Sequence, residues 1–351
     1  MQLMNELLRV NRLEKHLEEH YEIKDPSVVK VADGSYILYA SVGNSVTQTW
    51  LVGRFVASHP TAEWQEIEPV SFTNLSGPQL CAPAVTYQLV DGGPLFEMYI
   101  QTACFEDGGQ IVYATSSDGQ VFVGQSQPLV TKDDVNQDTA PVVGVYDVGV
   151  SEVKLHDQEL ICMLYSGYRK VGCGDIYASY KQKGEADAAW SRGEPLLIQE
   201  NVPFHNRPDY EHFEWGLEGA KLVQIADDCF MIIGVCFMPK PHEFLGTRQR
   251  VFLAASASIN GPFKAIGLPF TTDYNADRTG ENGHPDTIIE GDQMWVIYQE
   301  RLGDGKPWHL RAAAFNLAAL ETFVRGKLNF IADVTTVQSI EPEAYYFNYA
   351  F

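Results

Sequence analysis

The sequence predicts an all-β protein, a five-bladed β-propeller with an amphipathic helix at its N-terminus. Three observations carry this. After residue 22, short runs rich in Tyr, Val, Ile and Phe are broken by DG, GG and NG turn signals. Those runs recur as one unit with a near-constant period. The unit is also shorter than the roughly 100 residues a β-sandwich domain requires.

The five copies read DPSVVKVADGSYILYAS from Asp25, APAVTYQLVDGGPLFEMYIQTA from Ala82, SEVKLHDQELICMLYSG from Ser151, EGAKLVQIADDCFMIIGVCF from Glu218 and HPDTIIEGDQMWVIYQE from His284. Their starts lie 57, 69, 67 and 66 residues apart. A third strand of small and apolar residues follows in most units, as in LVGRFVAS, IVYATSSDG and VFLAASASING, and Trp64, Phe122, Trp190 and Phe263 occupy a like place after it. Four antiparallel strands repeated five times around one axis account for about 325 residues, so the length reflects repetition rather than two or three domains. SSDGQVF at 116–122 is expected to be a structural turn at an outer hairpin.

Ahead of the first unit, Leu3, Leu7, Val10, Leu13, Leu17 and Tyr21 recur at helical steps. The predicted division is therefore a helix over 1–22 and a propeller over 23–351. The helix would bury its stripe on the propeller or in a homodimer. Its charges every few residues, with no apolar core and cleavage site, are unlike a secretory signal.

Of 351 residues, 25 are basic and 46 acidic, a net charge of −21. That sign repels phosphate backbones and anionic lipid, so neither a nucleic acid nor a membrane surface is an expected partner. No run reaches the roughly 18 to 20 apolar residues of a spanning helix. The six cysteines, at 81, 104, 162, 173, 229 and 236, lack any CxxC spacing and are expected to be reduced, buried thiols of a cytoplasmic protein.

A propeller's innermost strands converge on one axis, so the polar residues opening them become neighbours. Here these are Asp25, the Cys81–Pro83 segment, Ser151/Glu152, Glu218 and His284. Clustered carboxylates raise the pKa of at least one of their number, which suits glycoside hydrolysis: one carboxyl stays neutral as acid while another, ionised, serves a water or the sugar.

Asp25-Pro26, Ala82-Pro83, Glu218-Gly219 and Gly283-His284 open their blades in an order and spacing that resembles family 43 of the glycoside hydrolases, in a clan with families 32, 62, 68 and 117. The resemblance spans about residues 22 to 330. It implies Asp25 as general base, Glu218 as general acid, inversion at the anomeric carbon, and His284 on the channel axis against substrate, a water or a hydrated Ca²⁺. No other cofactor is implied.

The family's third carboxylate should open the third blade, where an ungapped comparison places Ser151. Glu152 becomes its substitute if a bulge or one-residue shift turns it to the axis, and otherwise is a surface charge. Two long polar and aromatic segments precede blades four and five. They supply His205, Arg207, Asp209, His212, Trp215, Arg278 and Glu281 as candidate sugar contacts, with Trp215 for stacking. The His205/His212 spacing alone is weak support for zinc. The expected activity is a glycosidase acting on a neutral oligosaccharide or glycoside. The alternative is a carbohydrate-binding or scaffolding propeller whose catalytic set has eroded.

Overall fold

The computed structural model describes residues 4–13, 21–44, 49–75, 80–102, 108–136, 141–155, 158–169, 173–184, 188–202, 216–239, 247–270 and 280–333. The chain begins not with a helix but with two strands, β1 (Met4–Leu7) and β2 (Val10–Asn11). Blade one is β3 (Tyr21–Lys30), β4 (Tyr36–Asn44), β5 (Thr49–Ala57) and β6 (Trp64–Ile67), with β2 added in parallel to β6. Blade two adds β7 (Ser71–Thr73) to the edge of β8 (Cys81–Val90), β9 (Gly93–Thr102), β10 (Gln110–Ser116) and β11 (Val121–Gly124).

Blade three is β12 (Val142–Leu155), β13 (Gln158–Arg169), β14 (Cys173–Gln182) and β15 (Glu194–Leu197). Blade four is β16 (Glu218–Ala226), β17 (Cys229–Pro239), β18 (Thr247–Ser256) and β19 (Lys264–Gly267). Blade five has only three strands of its own, β20 (Glu281–Glu290), β21 (Gln293–Arg301) and β22 (His309–Asn316), and its fourth is β1.

This explains why the helical periodicity misled. Met4–Leu7 pairs antiparallel with Arg311–Ala314, so the first residues complete the last blade and close the ring. An open edge of β22 offers the inward-facing backbone donors and acceptors of β1 partners, whereas a lone amphipathic helix has only its apolar stripe to bury. Leu8 is buried in the blade-one core with Tyr36 and Trp64, while Leu7 points to solvent. The helical stripe on which a dimer contact was premised is thus absent over Met4–Asn11. Truncating Leu8 to alanine is expected to cost about 2–4 kcal/mol, read as a lower midpoint in chemical denaturation.

The cores lie between blades. Val52 of blade one packs with Val85 and Met98 of blade two, and Val251 of blade four packs with Met294 and Val296 of blade five. Trp64, Phe122 and Phe263 are buried at the expected outer positions. At 116–122 the Asp118 side chain accepts from the backbone N–H of Gln120 and Val121, an Asx turn as expected. The one α-helix among the described residues, α1 (Leu317–Asp333), was not foreseen. Asn316 caps it by accepting from Ala319 N, and Leu320 and Val324 bury themselves against the core between blades four and five.

Candidate active site

Each innermost strand carries the same irregularity. The ladder skips two residues in every one: Asp25-Pro26, Ala82-Pro83, Asp147-Val148, Gly219-Ala220 and His284-Pro285. The first residue of each pair is left-handed, at φ 51°, 50°, 49°, 54° and 38° in chain order. Such bulges turn side chains out of the pleat, here onto the axis. In blades one, two and five the following proline has no N–H to satisfy, and in blades one, two and three the buried N–H of the first residue is met by a neighbouring side chain. Asp25 N donates to Gln299 Oε1 (2.8 Å), Ala82 N to Ser41 Oγ (2.8 Å) and Asp147 N to Gln101 Oε1 (2.6 Å).

The carboxylate that blade three brings to the axis is Asp147. Glu152 and Ser151 lie beyond the bulge, in regular pairing with Ile161 and Cys162. Glu152 is half-exposed and pairs with Lys183 at 2.5 Å, so it is a blade-edge charge and not a site residue. The missed signal was the segment Tyr146-Asp147-Val148-Gly149, which carries valine where blades one, two and five carry proline.

Asp25, Asp147, Glu218 and His284 meet at the mouth of the central channel, and all but Glu218 line its cavity of about 40 Å³, enough for a few waters. His284 stands between the carboxylates, with Nδ1 3.1 Å from Asp25 Oδ1 and Nε2 3.5 Å from Glu218 Oε2 and 3.7 Å from Asp147 Oδ1. Gly219 admits the ring, since a Cβ there would come within 2.4 Å of His284 Cδ2. Both ring nitrogens and Glu218 Oε1 lack a hydrogen-bond partner, so the contacts of the ring with the carboxyls are electrostatic.

Burial is the largest influence on each group, and their mutual charges decide the outcome. Burial alone would lower the His284 pKa, but Asp25, Asp147 and Glu218 raise it well above the ordinary value. Glu218 is pushed up to about 8 by burial and then by the Asp147 charge. Asp147 is held below the usual range because His284 outweighs its burial. The site thus holds a protonated acid, an ionised neighbour and an imidazolium.

Asp147, Glu218 and His284 offer ligand atoms all within 4.8 Å of one another. These are the side chains that would face a hydrated Ca²⁺ on the axis, an ion whose remaining oxygen ligands would be waters.

Glu281 is buried away from the cavity, accepting from Gln249 N (2.8 Å) and pairing with Arg301. His205, Arg207, Asp209, His212, Trp215 and Arg278 lie outside the described residues. Tyr168 was missed altogether; it is half-buried near the two acids, and desolvation and then the Glu218 and Asp147 charges drive its pKa upward. Cys81, next to Ala82, is disulfide-bonded, contrary to the expectation of six reduced thiols, and its Sγ accepts from Gln101 Nε2 at 3.4 Å. Disulfides persist in oxidising compartments, so the cytoplasmic expectation loses its cysteine argument. Cys162, Cys229 and Cys236 are free and buried as expected.

Compared by sequence, the chain matches no family model and no curated protein. Its structure matches an endo-arabinase from Bacteroides thetaiotaomicron with a TM-score of 0.58 at 13% identity, covering 84% of this chain and 94% of that one. It also matches a thermostable family-43 glycoside hydrolase (TM-score 0.55, 15% identity, 84% and 88% covered). The fold is that of the family-43 propellers. A further match is the GH43_1 enzyme from Xanthomonas citri complexed with xylose, with a TM-score of 0.54 at 16% identity over 85% of this chain and 88% of that one.

Proposed function

We propose that this family-43-like propeller is a glycoside hydrolase that works by inverting acid/base catalysis, with Glu218 as the acid and Asp25 as the base. The observation that carries the reading is Glu218 itself: a buried carboxyl pushed up to about 8, with Oε1 unpartnered at the channel mouth. A carboxylic acid kept neutral at pH 7 has a proton to give, and the group that lacks a partner is the one a glycosidic oxygen would meet.

Asp25 and Glu218 contact opposite nitrogens of one imidazole at 3.1 and 3.5 Å, which bounds their oxygens at about 9 Å apart. That bound admits the roughly 6.5–9.5 Å at which inverting pairs leave room for a water. Asp25 takes the water's proton as its oxygen attacks the anomeric carbon. Glu218 gives its proton to the departing sugar oxygen, and inversion follows from attack on the face opposite the leaving group. Asp147 keeps Glu218 protonated before the step, and His284 balances the charge that remains.

Asp147 on the axis also answers the Ser151 departure, on which the reading of an eroded, merely sugar-binding propeller drew. The test is turnover on a panel of aryl glycosides and oligosaccharides, starting with the pentose-containing substrates suggested by an arabinase and by a xylose complex among the structural matches. Hydrolysis by the wild type that disappears in Asp25→Asn and in Glu218→Gln supports the reading. Turnover unaffected by either substitution overturns it, as does sugar binding without turnover by the wild type.

A further inference from the structure

The bulge register places Lys24 in blade one where Glu218 stands in blade four, since each is the last paired residue before the left-handed position. Both side chains share a face with residues packed on the next blade: Lys24 with Ser41 and Val52, Glu218 with Val235 and Val251. Blades one and four are not adjacent in a ring of five, so the two positions confront each other across the mouth. The Lys24 charge accordingly reaches Asp147 of blade three.

The Lys24 ammonium lies 4.3 Å over the Trp50 ring and has no carboxylate within ion-pair distance among the described residues. In a chain with 46 acidic residues this is unusual. Other basic groups around this end are engaged: Arg169 with Asp175, Arg301 with Glu281, and Arg311 with Glu300. An ammonium on an indole face is positioned and partly desolvated, yet its remaining hydrogen-bond donors are unspent.

We propose that Lys24, supported by Trp50, is a specificity-determining residue that binds a carboxylate on the glycone, so that the substrate is a uronic acid glycoside. The net charge of −21 points at first to neutral sugars, but the local balance differs from the global one. With Glu218 protonated, the charges of Asp25 and Asp147 are offset by those of His284 and Lys24, and a carboxylate can enter without facing net repulsion. Glu218 on the opposite side of the mouth meets the leaving oxygen, so Lys24 meets the edge of the sugar that points away from the scissile bond.

This inference rests on the hydrolase reading, and the experiment separates the two. Binding of free galacturonate, glucuronate, galactose and glucose is measured by calorimetry on the wild type, Lys24→Gln and Lys24→Arg. Hydrolysis of matched aryl uronides and neutral glycosides is followed in parallel. The expected result is tighter binding of a uronate than of its neutral counterpart, weakened about tenfold or more in Lys24→Gln and partly restored in Lys24→Arg, with neutral sugars changed less than threefold. Uronate binding that depends on Lys24 without any turnover sustains the assignment and overturns the hydrolase. Turnover restricted to neutral glycosides, or an equal loss on both classes in Lys24→Gln, overturns the assignment and leaves the hydrolase standing.

Discussion

Glu218→Gln is expected to lower kcat on an oligosaccharide by about 10²- to 10⁴-fold, the usual contribution of a positioned general acid. The loss should be much smaller on an aryl glycoside whose leaving group needs no proton. The pH profile supplies the second signature. Glu218 titrates at about 8, so wild-type activity should fall as the pH rises through that value, and the residual activity of the glutamine variant should lack this alkaline limb.

Stability should move the other way. Because the native state holds the Glu218 proton above the ordinary carboxyl range, the unfolded state gives it up first, and the stability this proton represents is lost as the pH rises from about 4.5 to about 8. A glutamine carries no such liability. At pH 9 the variant should therefore be more stable than the wild type, by roughly 1–2 kcal/mol in denaturant unfolding. Near pH 4.5 the two should be similar. A residue that merely capped a turn would change neither the leaving-group dependence nor the sign of the stability difference with pH.

How much of this was legible beforehand depended on whether the information was local. The blade repeat was readable because each blade must alternate apolar residues against its neighbours, and Asp25, Glu218 and His284 were readable because they open strands at one phase of the repeat. The N-terminal segment was not, because its partner β22 lies some 300 residues away and the same leucines satisfy a helical spacing or a strand edge. Asp147 was missed for a different reason. β12 runs 14 residues, longer than the other innermost strands, so counting back from its aromatic partner strand placed the opening residue four positions late. Valine at 148 also hid the bulge that proline marks in three other blades. Only the left-handed backbone at Asp147, shared with Asp25, Ala82, Gly219 and His284, discloses the equivalence. Lys24 was passed over because a lysine beside Asp25 looks like a solvated charge until the register aligns it with Glu218.

Asp147→Asn puts that equivalence at risk in one measurement. The asparagine keeps the shape and removes the charge that, after burial, does most to keep Glu218 protonated. The alkaline limb should therefore shift to lower pH, and kcat at neutral pH should fall by up to about tenfold as the acid loses its proton before substrate arrives. Burial, the larger influence on Glu218, is untouched, so the limb moves toward the ordinary carboxyl range without reaching it. The His284 ring also loses one of its two anionic partners and keeps Asp25 as the other. Glu152→Gln is the control: its partner Lys183 is at the blade edge, so kcat and the limb should both stay where they are. If the limb stays put in Asp147→Asn while activity falls, Asp147 serves packing alone. If Glu152→Gln moves the limb instead, the bulge alignment is wrong and the third carboxylate is the one read from the ungapped sequence.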